Sequence, residues 1–361
     1  MKQFKIMILF AVLLISKLSY AGFFEEKKTV SCAYKVSANP TVEIENQYGS
    51  VQIITWDKDS VKLEAAVLAT SDKVQDIQKL MAKVEVLCRG TQSTVMFSTE
   101  WTDGVSFLNK GSMDLKNILN SDKKLTVNYI VYLPANSRLS IKNRFGDIYL
   151  PNYIGALRID LSHGDLRARD INDARSIAVK YGKVIIKNLE QGILSIDYGT
   201  LILDKAKIIT LESKSSTIEI LEADRLAIRS KNDELRIDKV NSLRGEAYFS
   251  HVLVKNLQKL LDLKTNYGDV NLKEISKDFE LIRLDGSNTD YDLEFLKGGG
   301  FQFTVETLKQ RGFSHPDVLK IISEEESDKD LKLYKGYLGS ETAAATVNIN
   351  QKSGYLSFYF R

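Results

Sequence analysis

The chain has 361 residues, of which 43% are hydrophobic, 27% are charged and only four are proline, a composition that excludes a disordered chain. Its 50 basic residues exceed its 47 acidic residues by three, and Lys2, Lys5 and Lys17 at the start of the chain account for that excess. Without residues 1–21 the net charge is zero, which excludes a general electrostatic attraction to nucleic acid or to an anionic membrane surface.

Residues 1–21 have the pattern of a signal peptide. A short basic start precedes an apolar run from Ile6 to Ile15 and a small-residue stretch from Ser19 to Ala21. The apolar run is about half as long as a bilayer crossing requires, and no later segment is long and apolar enough to span. We therefore expect an exported protein that is periplasmic, at the cell surface or secreted, with no transmembrane segment in the mature chain.

Two cysteines, Cys32 and Cys88, lie in the N-terminal third of the chain. An oxidising compartment favours a disulfide between them, and two buried thiols are the alternative. The sequence alone does not show whether their Cα atoms come within bonding range. In either case we expect a structural role.

Residues 72–84 predict one helix. Asp72 is placed to cap it, with Gln75 three positions later, and five apolar residues form one stripe: Val74, Ile77, Leu80, Met81 and Val84. We expect this stripe to pack on a sheet edge or over the open end of the fold. The polar segment 100–124 predicts a long loop before a strand at 125–133.

A corner pattern recurs every 17 or 18 residues in the middle of the chain. Glycine marks the corner in most repeats, and Ser216, Asp233 and Ser250 fill a gap at the same interval. The residues two, four and seven positions after the corner are apolar or aromatic in all eight repeats. Alternation with period two on both sides of a turn is typical of two short strands with one face inward. The pattern predicts an all-β fold, a parallel β-solenoid of about 17 to 18 residues per coil with stacked aliphatic ladders.

Glycine at a corner predicts either a positive φ or a close approach to neighbouring backbone. The same frame returns near both ends of the chain, so the first and last structured parts are expected to join the same stack. The predicted structural corners are Gly49, Gly146, Gly164, Gly182, Gly199, Gly268 and Gly354. The predicted organisation is a signal peptide at 1–21, a cap region with the first coil and one helix at 22–135, the regular solenoid at 136–296, and an excursion with a closing coil at 297–361.

The order of these motifs carries a family resemblance. The sequence has NQYGSV at 46–51, then the helix, YIVYLP at 129–134, NRFGDI at 143–148 and repeated Tyr-Gly corners. This order resembles the bacterial putative-adhesin family of exported β-solenoid proteins. The resemblance implies a solenoid fold, a cell-envelope or extracellular setting and an adhesin-like role, and it supplies no catalytic residues. The chain departs from the pattern where glycine is missing from three corners, which puts the regularity of those coils in doubt.

Motifs for catalysis or metal binding are absent from the sequence. His163, His251 and His315 are too few and too scattered for a metal site, and the patterns of nucleophilic, zinc and phosphate sites do not occur. We therefore expect no catalytic residue, no metal and no cofactor. His163 shares the aromatic column before the corner with four other rings, so we expect it to pack there: Phe145, Tyr181, Tyr198 and Tyr267.

Asp147 and Asp165 are the candidate ligand residues. They occupy the same column on neighbouring coils, about 5 Å apart at strand spacing. That separation would suit a retaining glycosidase pair or a calcium site. Solvated corner residues are the favoured interpretation, because Lys183 follows in the column and no further acid converges there.

Two outward apolar residues, Ile185 and Ile202, mark either a docking surface or a face covered by the excursion at 299–341, and we favour coverage.

Our leading hypothesis is a non-enzymatic cell-envelope or secreted protein with an adhesin-like binding or scaffold role, whose partner is a surface protein or a glycan and not nucleic acid. The alternative is a polysaccharide-active β-helix enzyme that uses paired carboxylates. A purely structural spacer is the third hypothesis.

Overall fold

The computed structural model describes residues 23–101, 123–309, 312–328 and 330–361. The predicted signal peptide and most of the predicted loop at 100–124 lie outside these ranges. The described residues form 22 strands and one helix, so the expectation of an all-β protein is confirmed. No helix within these ranges is long and apolar enough to cross a membrane. The chain divides into two compact units, Met1–Arg175 and Ser176–Arg361.

The first unit holds ten strands, the start of an eleventh and the helix. In chain order they are β1 (Phe24–Lys35), β2 (Thr41–Gln47), β3 (Val51–Trp56), β4 (Ser60–Ser71), α1 (Val74–Ala82), β5 (Val84–Gly90), β6 (Thr94–Trp101), β7 (Lys123–Pro134), β8 (Arg138–Arg144), β9 (Ile148–Leu150), β10 (Tyr153–Ser162) and β11 (Leu166–Lys180).

We call two strands on either side of a corner a coil, and the first coil of the chain lies between two later segments. Strands β2 and β3, on either side of Gly49, pair in parallel with β8 and β9, whose residues follow 97 positions later in the chain. On their other side, β2 pairs in parallel with β6, and β3 pairs in parallel with β7. The stack continues from β8 to β10 and from β9 to β11. The first coil in sequence is therefore enclosed on both sides.

Antiparallel strands flank this parallel stack. Strand β4 pairs with β7 on one side and with β1 on the other, and β5 pairs with β6. A disulfide between Cys32 and Cys88 joins β1 to β5, with the two Cα atoms 6.6 Å apart. None of these antiparallel pairings follows from the repeat.

Helix α1 is shorter than predicted and packs against β4, β1 and β5. It begins at Val74, and its N-cap is Lys73, which makes no side-chain capping bond. The predicted cap at Asp72 is therefore wrong. Instead, the Asp72 carboxylate accepts a hydrogen bond from the Ser71 hydroxyl at 3.2 Å. Ile77, Leu80, Met81 and Val84 are buried as the stripe predicts, although Val84 belongs to β5, and Val74 is exposed.

The second unit repeats one parallel step. Its strands are β12 (Lys183–Asp197), β13 (Thr200–Lys214), β14 (Thr217–Lys231), β15 (Glu234–Ile275), β16 (Leu281–Phe295), β17 (Phe301–Leu308), β18 (Phe313–Ser314), β19 (Lys320–Asp328), β20 (Leu331–Leu338), β21 (Ala345–Gln351) and β22 (Leu356–Phe360).

Successive strands from β12 to β15 pair in parallel at a spacing of 17 residues, as in the hydrogen bond from Asn241 to Asp224. Val184 pairs with Leu201, Leu201 with Ile218, and Ile218 with Leu235, and all four side chains are buried. The register runs unbroken past Ser216 and Asp233. The loss of glycine at these corners therefore leaves the pairing regular.

The last coil of the chain is also enclosed. Strands β21 and β22 pair in parallel with β16 on one side and with β17 and β18 on the other. Strand β20 pairs antiparallel with β17, and β19 pairs antiparallel with β20. The excursion thus extends the stack, and within the described residues none of its strands pairs with β12 or β13, which carry Ile185 and Ile202.

Candidate binding surface at the corners

The corners share one backbone conformation. Ten residues, each directly before a corner position, have left-handed φ values between 50° and 60°. They are Tyr48, Phe145, His163, Tyr181, Tyr198, Ser215, Asn232, Phe249, Tyr267 and Asn288. The left-handed residue is thus the one before the predicted corner.

Glycine follows several of these residues because the backbones of adjacent coils approach each other closely there. A Cβ atom on Gly146 would lie 2.0 Å from the carbonyl oxygen of Gly49, and one on Gly164 would lie 2.1 Å from that of Gly146. Gly268 combines such an approach with a positive φ of 135°. Close approach is therefore the main reason for glycine at these corners.

The aromatic residues at these corners stack on one another at the surface. We call the following set the corner aromatics: Tyr48, Phe145, His163, Tyr181, Tyr198, Phe249 and Tyr267. In the first unit, the ring centroids of Tyr48 and Phe145 are 5.1 Å apart and those of Phe145 and His163 are 4.9 Å apart. In the second unit, the Tyr181 and Tyr198 centroids are 5.2 Å apart and the Phe249 and Tyr267 centroids are 4.9 Å apart.

These rings are not core residues. The five phenylalanine and tyrosine rings other than Tyr48 are each 45% to 53% exposed, so the predicted packing of this column is packing between rings at the surface. A left-handed conformation costs a residue other than glycine about 1 kcal/mol or more, and asparagine pays least. Ser215, Asn232 and Asn288 adopt the same turn without a ring. The turn therefore does not require the aromatic side chains.

Stacking between rings offsets part of that cost, at about 0.5 to 1.5 kcal/mol per pair. Buried rings would gain the same stacking energy and would also be stabilised by their removal from water. Rigid exposed aromatic side chains are typical of surfaces that bind a partner. We therefore take the corner aromatics of each unit as a candidate binding surface.

Buried amides hold the corners of the first unit in place. Asn46 donates from Nδ2 to the carbonyl oxygens of Gly49 at 3.2 Å and Val127 at 2.9 Å. Asn143 donates to the carbonyl oxygens of Gly49 at 3.0 Å and Gly146 at 2.8 Å. Both side chains are fully buried. The corners are thus fixed from inside, and the exposed rings stand on a rigid backbone.

The predicted ligand residues are engaged in local bonds. The Asp147 carboxylate accepts hydrogen bonds from the Asp165 amide at 2.9 Å and from the Tyr149 hydroxyl at 3.0 Å. The bond to Asp147 raises the pKa of Tyr149. Asp165 lies 3.5 Å from the Arg167 guanidinium. In the described part of the chain, no cluster of three or more His, Cys, Asp or Glu side chains could hold a metal ion.

The three corners without glycine contain a buried polar network that the sequence analysis missed. Asp233 is only 3% exposed. Its carboxylate accepts hydrogen bonds from the Ser213 and Ser230 hydroxyls at 2.7 and 2.6 Å. It also accepts from the amides of Ser216 and Lys231 at 2.8 and 2.9 Å. Four donors therefore satisfy this carboxylate.

A cleft of about 360 Å³ opens above this network. It is lined by Ser215, Ser216, Thr217, Asn232, Asp233, Glu234, Phe249 and His251. A second cleft, of about 450 Å³, lies at strands β15, β16 and β22 and is lined by Asn271, Leu272, Lys273, Asp292, Glu294, Tyr359 and Phe360.

Comparison with known proteins gives only distant likenesses. No protein-family model and no curated protein matches the chain. A "putative cell adhesion protein" from Clostridium sporogenes is 10% identical over 93% of this chain and 100% of its own, with a TM-score of 0.17.

Two further solved structures have slightly higher scores. A "putative lipid binding protein" from Parabacteroides distasonis is 15% identical over 73% of this chain and 95% of its own, with a TM-score of 0.34. A "putative adhesin" from Bacteroides fragilis is 12% identical over 92% of this chain and 97% of its own, with a TM-score of 0.29. These descriptions belong to those proteins, and the scores are too low to transfer them.

Proposed function

We propose that this chain is an exported, non-enzymatic β-solenoid protein with an adhesin-like role, which binds another surface component through its corner aromatics. The observation that carries the proposal is the exposure of stacked rings on left-handed corners that do not require a ring. The partner is a surface protein or a glycan of the cell envelope or of a contacting cell.

The solenoid is supported by the constant parallel step between β12 and β15, in which each strand pairs in register with the next. Export is supported by the signal-peptide pattern and by the disulfide between Cys32 and Cys88, because disulfides persist in oxidising compartments. Both features suit a protein that works outside the cytoplasm.

Binding through these rings is favoured by their rigidity. Tyrosine and phenylalanine offer a large contact area with only two side-chain torsions to immobilise. Stacking on a neighbouring ring restricts them further before any partner arrives, which lowers the entropic cost of association. A row of such rings is therefore suited to a repetitive or extended partner surface.

The test compares the mature chain with a ring-deficient variant on arrays of surface glycans and surface proteins and on whole cells. Tyr181→Asn with Tyr198→Asn removes two stacked rings and leaves a residue that Asn232 and Asn288 show to fit the turn. The control is Ile193→Asn, since Ile193 is 50% exposed and lies away from the corners. We expect at least tenfold weaker retention of the double variant and no change in the control.

Equal retention of all three proteins would overturn the proposal. If the wild-type chain degrades a polysaccharide and a folded Asp165→Ala variant does not, the enzyme hypothesis would replace the binding proposal.

A further inference from the structure

The row of corner aromatics in the second unit is interrupted at two successive coils. Ser215 and Asn232 occupy the ring positions there with φ values of 50° and 59°, and the parallel register continues past them. Two rings are thus missing from an unchanged backbone. With three steps of strand spacing between Tyr198 and Phe249, the ring planes on either side are about 14 Å apart.

The cleft of about 360 Å³ is this interruption. Phe249 forms one wall, and because one face of its ring stacks on Tyr267, the opposite face is left for the cleft. At the other border, the Lys214 ammonium lies 5.6 Å from the centroid of the Tyr198 ring. The cleft therefore offers one open aromatic face.

The floor of the cleft is polar. The Asn232 amide donates from Nδ2 to the Ser215 hydroxyl oxygen at 3.2 Å. A primary amide carries a second N–H and a carbonyl oxygen, and the serine hydroxyl carries a proton of its own. Below them, the satisfied carboxylate of Asp233 keeps the backbone of these corners in place. The floor thus presents fixed, uncharged donors and acceptors.

The charged side chains that line the cleft already have partners, and the Lys214 ammonium at its border contacts the Tyr198 ring. Glu234 lies 2.6 Å from the Arg236 guanidinium, and His251 contacts the Asp269 carboxylate. The Asp233 carboxylate already accepts four hydrogen bonds from the protein, so it is not available to a ligand. A metal cation would find no uncommitted carboxylate among the lining residues, and a phosphate would find no uncommitted basic group there.

We infer that this cleft binds one uncharged sugar ring of a glycan. The apolar C–H face of a pyranose would stack on Phe249, and its hydroxyl groups would exchange hydrogen bonds with Asn232 and Ser215. An aromatic wall with a few fixed polar groups is the usual composition of a small-molecule site, and the volume lies at the small end of such sites. This inference rests on the proposed binding function and names the partner as a neutral glycan.

The site can be closed by extending the row of rings. Ser215→Tyr with Asn232→Tyr places rings in conformations that tyrosine already adopts at neighbouring corners, so the fold should persist. Phe249→Asn removes the stacking wall instead. The matched control is Asn288→Tyr, the same substitution at a corner that does not line the cleft. Melting temperatures compare the folding of all four proteins.

The probes are neutral oligosaccharides built from glucose, galactose, mannose, N-acetylglucosamine or xylose, measured by saturation-transfer NMR and calorimetry. We expect the wild-type chain and Asn288→Tyr to bind at least one probe with the same Kd. The gap-filling variant and Phe249→Asn should each bind it at least tenfold more weakly.

The inference is overturned if the wild-type chain binds none of these probes, or if the gap-filling variant binds as tightly as wild type. It is separable from the proposed function. Loss of surface retention only in the Tyr181 and Tyr198 double variant would leave the corner aromatics as the binding surface and exclude the cleft. Loss of glycan binding in the gap-filling variant and in Phe249→Asn, with unchanged binding by the Tyr181 and Tyr198 double variant, would establish the cleft and exclude a role for the Tyr181 and Tyr198 rings.

Discussion

Asn46 and Asn143 donate hydrogen bonds to one and the same acceptor, the carbonyl oxygen of Gly49, at 3.2 and 3.0 Å. The strands that carry them pair directly although they are 97 residues apart in the chain. The carbonyl oxygen of Gly49 therefore links the first coil to the coil that packs next to it.

The two asparagines should differ in their importance for stability. Asn46→Leu removes two donated bonds and the bond that Thr99 donates to Asn46 at 2.8 Å, so we expect a loss of about 3 kcal/mol. Asn143→Leu also removes two bonds, but it removes a buried Oδ1 atom that accepts no hydrogen bond within the described residues. We expect a loss of at most about 1 kcal/mol there. Guanidinium unfolding measures both, and equal losses would contradict the assignment.

Reduction of the disulfide should destabilise the protein. The bond between Cys32 and Cys88 closes a loop with a sequence separation of 56 residues, for which chain entropy gives about 4 kcal/mol. Unfolding curves with and without reductant measure this difference. A Cys32→Ser, Cys88→Ser variant should match the reduced wild type and should not respond to reductant. Superimposable curves for oxidised and reduced wild type would show that the bond does not contribute to stability.

Replacing the Asp233 carboxylate with an amide should destabilise the protein. Asp233→Asn places an NH₂ group among four donors, so at least one hydrogen bond is lost and two donors oppose each other. We expect a loss of about 2 to 3 kcal/mol, since bonds to a charged acceptor are strong. Asp238→Asn is the control, because the Asp238 side chain is 40% exposed and pairs with Lys255 at the surface, an interaction that contributes little to stability. Thermal unfolding compares the two variants, and similar stabilities would refute the network's role.

Alkaline pH should unfold the protein through its buried tyrosines. Burial raises the pKa of Tyr291 to about 12, and burial also raises the pKa of Tyr129 and Tyr153. In the unfolded chain these hydroxyls ionise near pH 10. The folded state therefore holds more protons above pH 10, and the contribution of these tyrosines to the free energy of unfolding should be constant below pH 10 and fall as pH rises toward 12.

The matched variant for this pH dependence is Tyr291→Phe, which cannot ionise at that position. Its free energy of unfolding should fall less steeply between pH 10 and pH 12 than that of the wild type, although it also loses the bond between Tyr291 and Thr265. A variant with an unchanged slope would show that Tyr291 does not contribute.

The regular array could be predicted from the sequence because its inward positions admit few residue types. Leu201, Ile218 and Leu235 repeat at one interval, and the structure pairs them at that interval. A residue displaced by one position would turn from the interior to solvent, so the sequence itself fixes which residues pair.

The order of the enclosed coils could not be predicted in the same way. Val51 pairs with Ile148 on one side and Tyr129 on the other, and all three are apolar residues of a kind that many strands carry. Nothing local in the sequence selects a partner that far along the chain. The antiparallel strands β1 and β4 also lack the corner residues that reveal the repeat.

The candidate site was visible only in part. The aromatic column was recognised, but Tyr181 and Tyr198 could not be distinguished from core residues because exposure depends on which side of the turn a residue faces. The cleft did leave a signal. The ring is missing at Ser215 and Asn232, directly before the two corners where glycine is missing at Ser216 and Asp233.

The enclosure of β21 has a mechanical consequence. Strand β21 has parallel neighbours on both sides along almost its whole length, β16 and β17, so a pulling force on β21 cannot peel it from an open edge one hydrogen bond at a time. It must draw the strand out from between two partners and break both sets of bonds together. A protein that holds a surface under shear would gain resistance to traction from this arrangement.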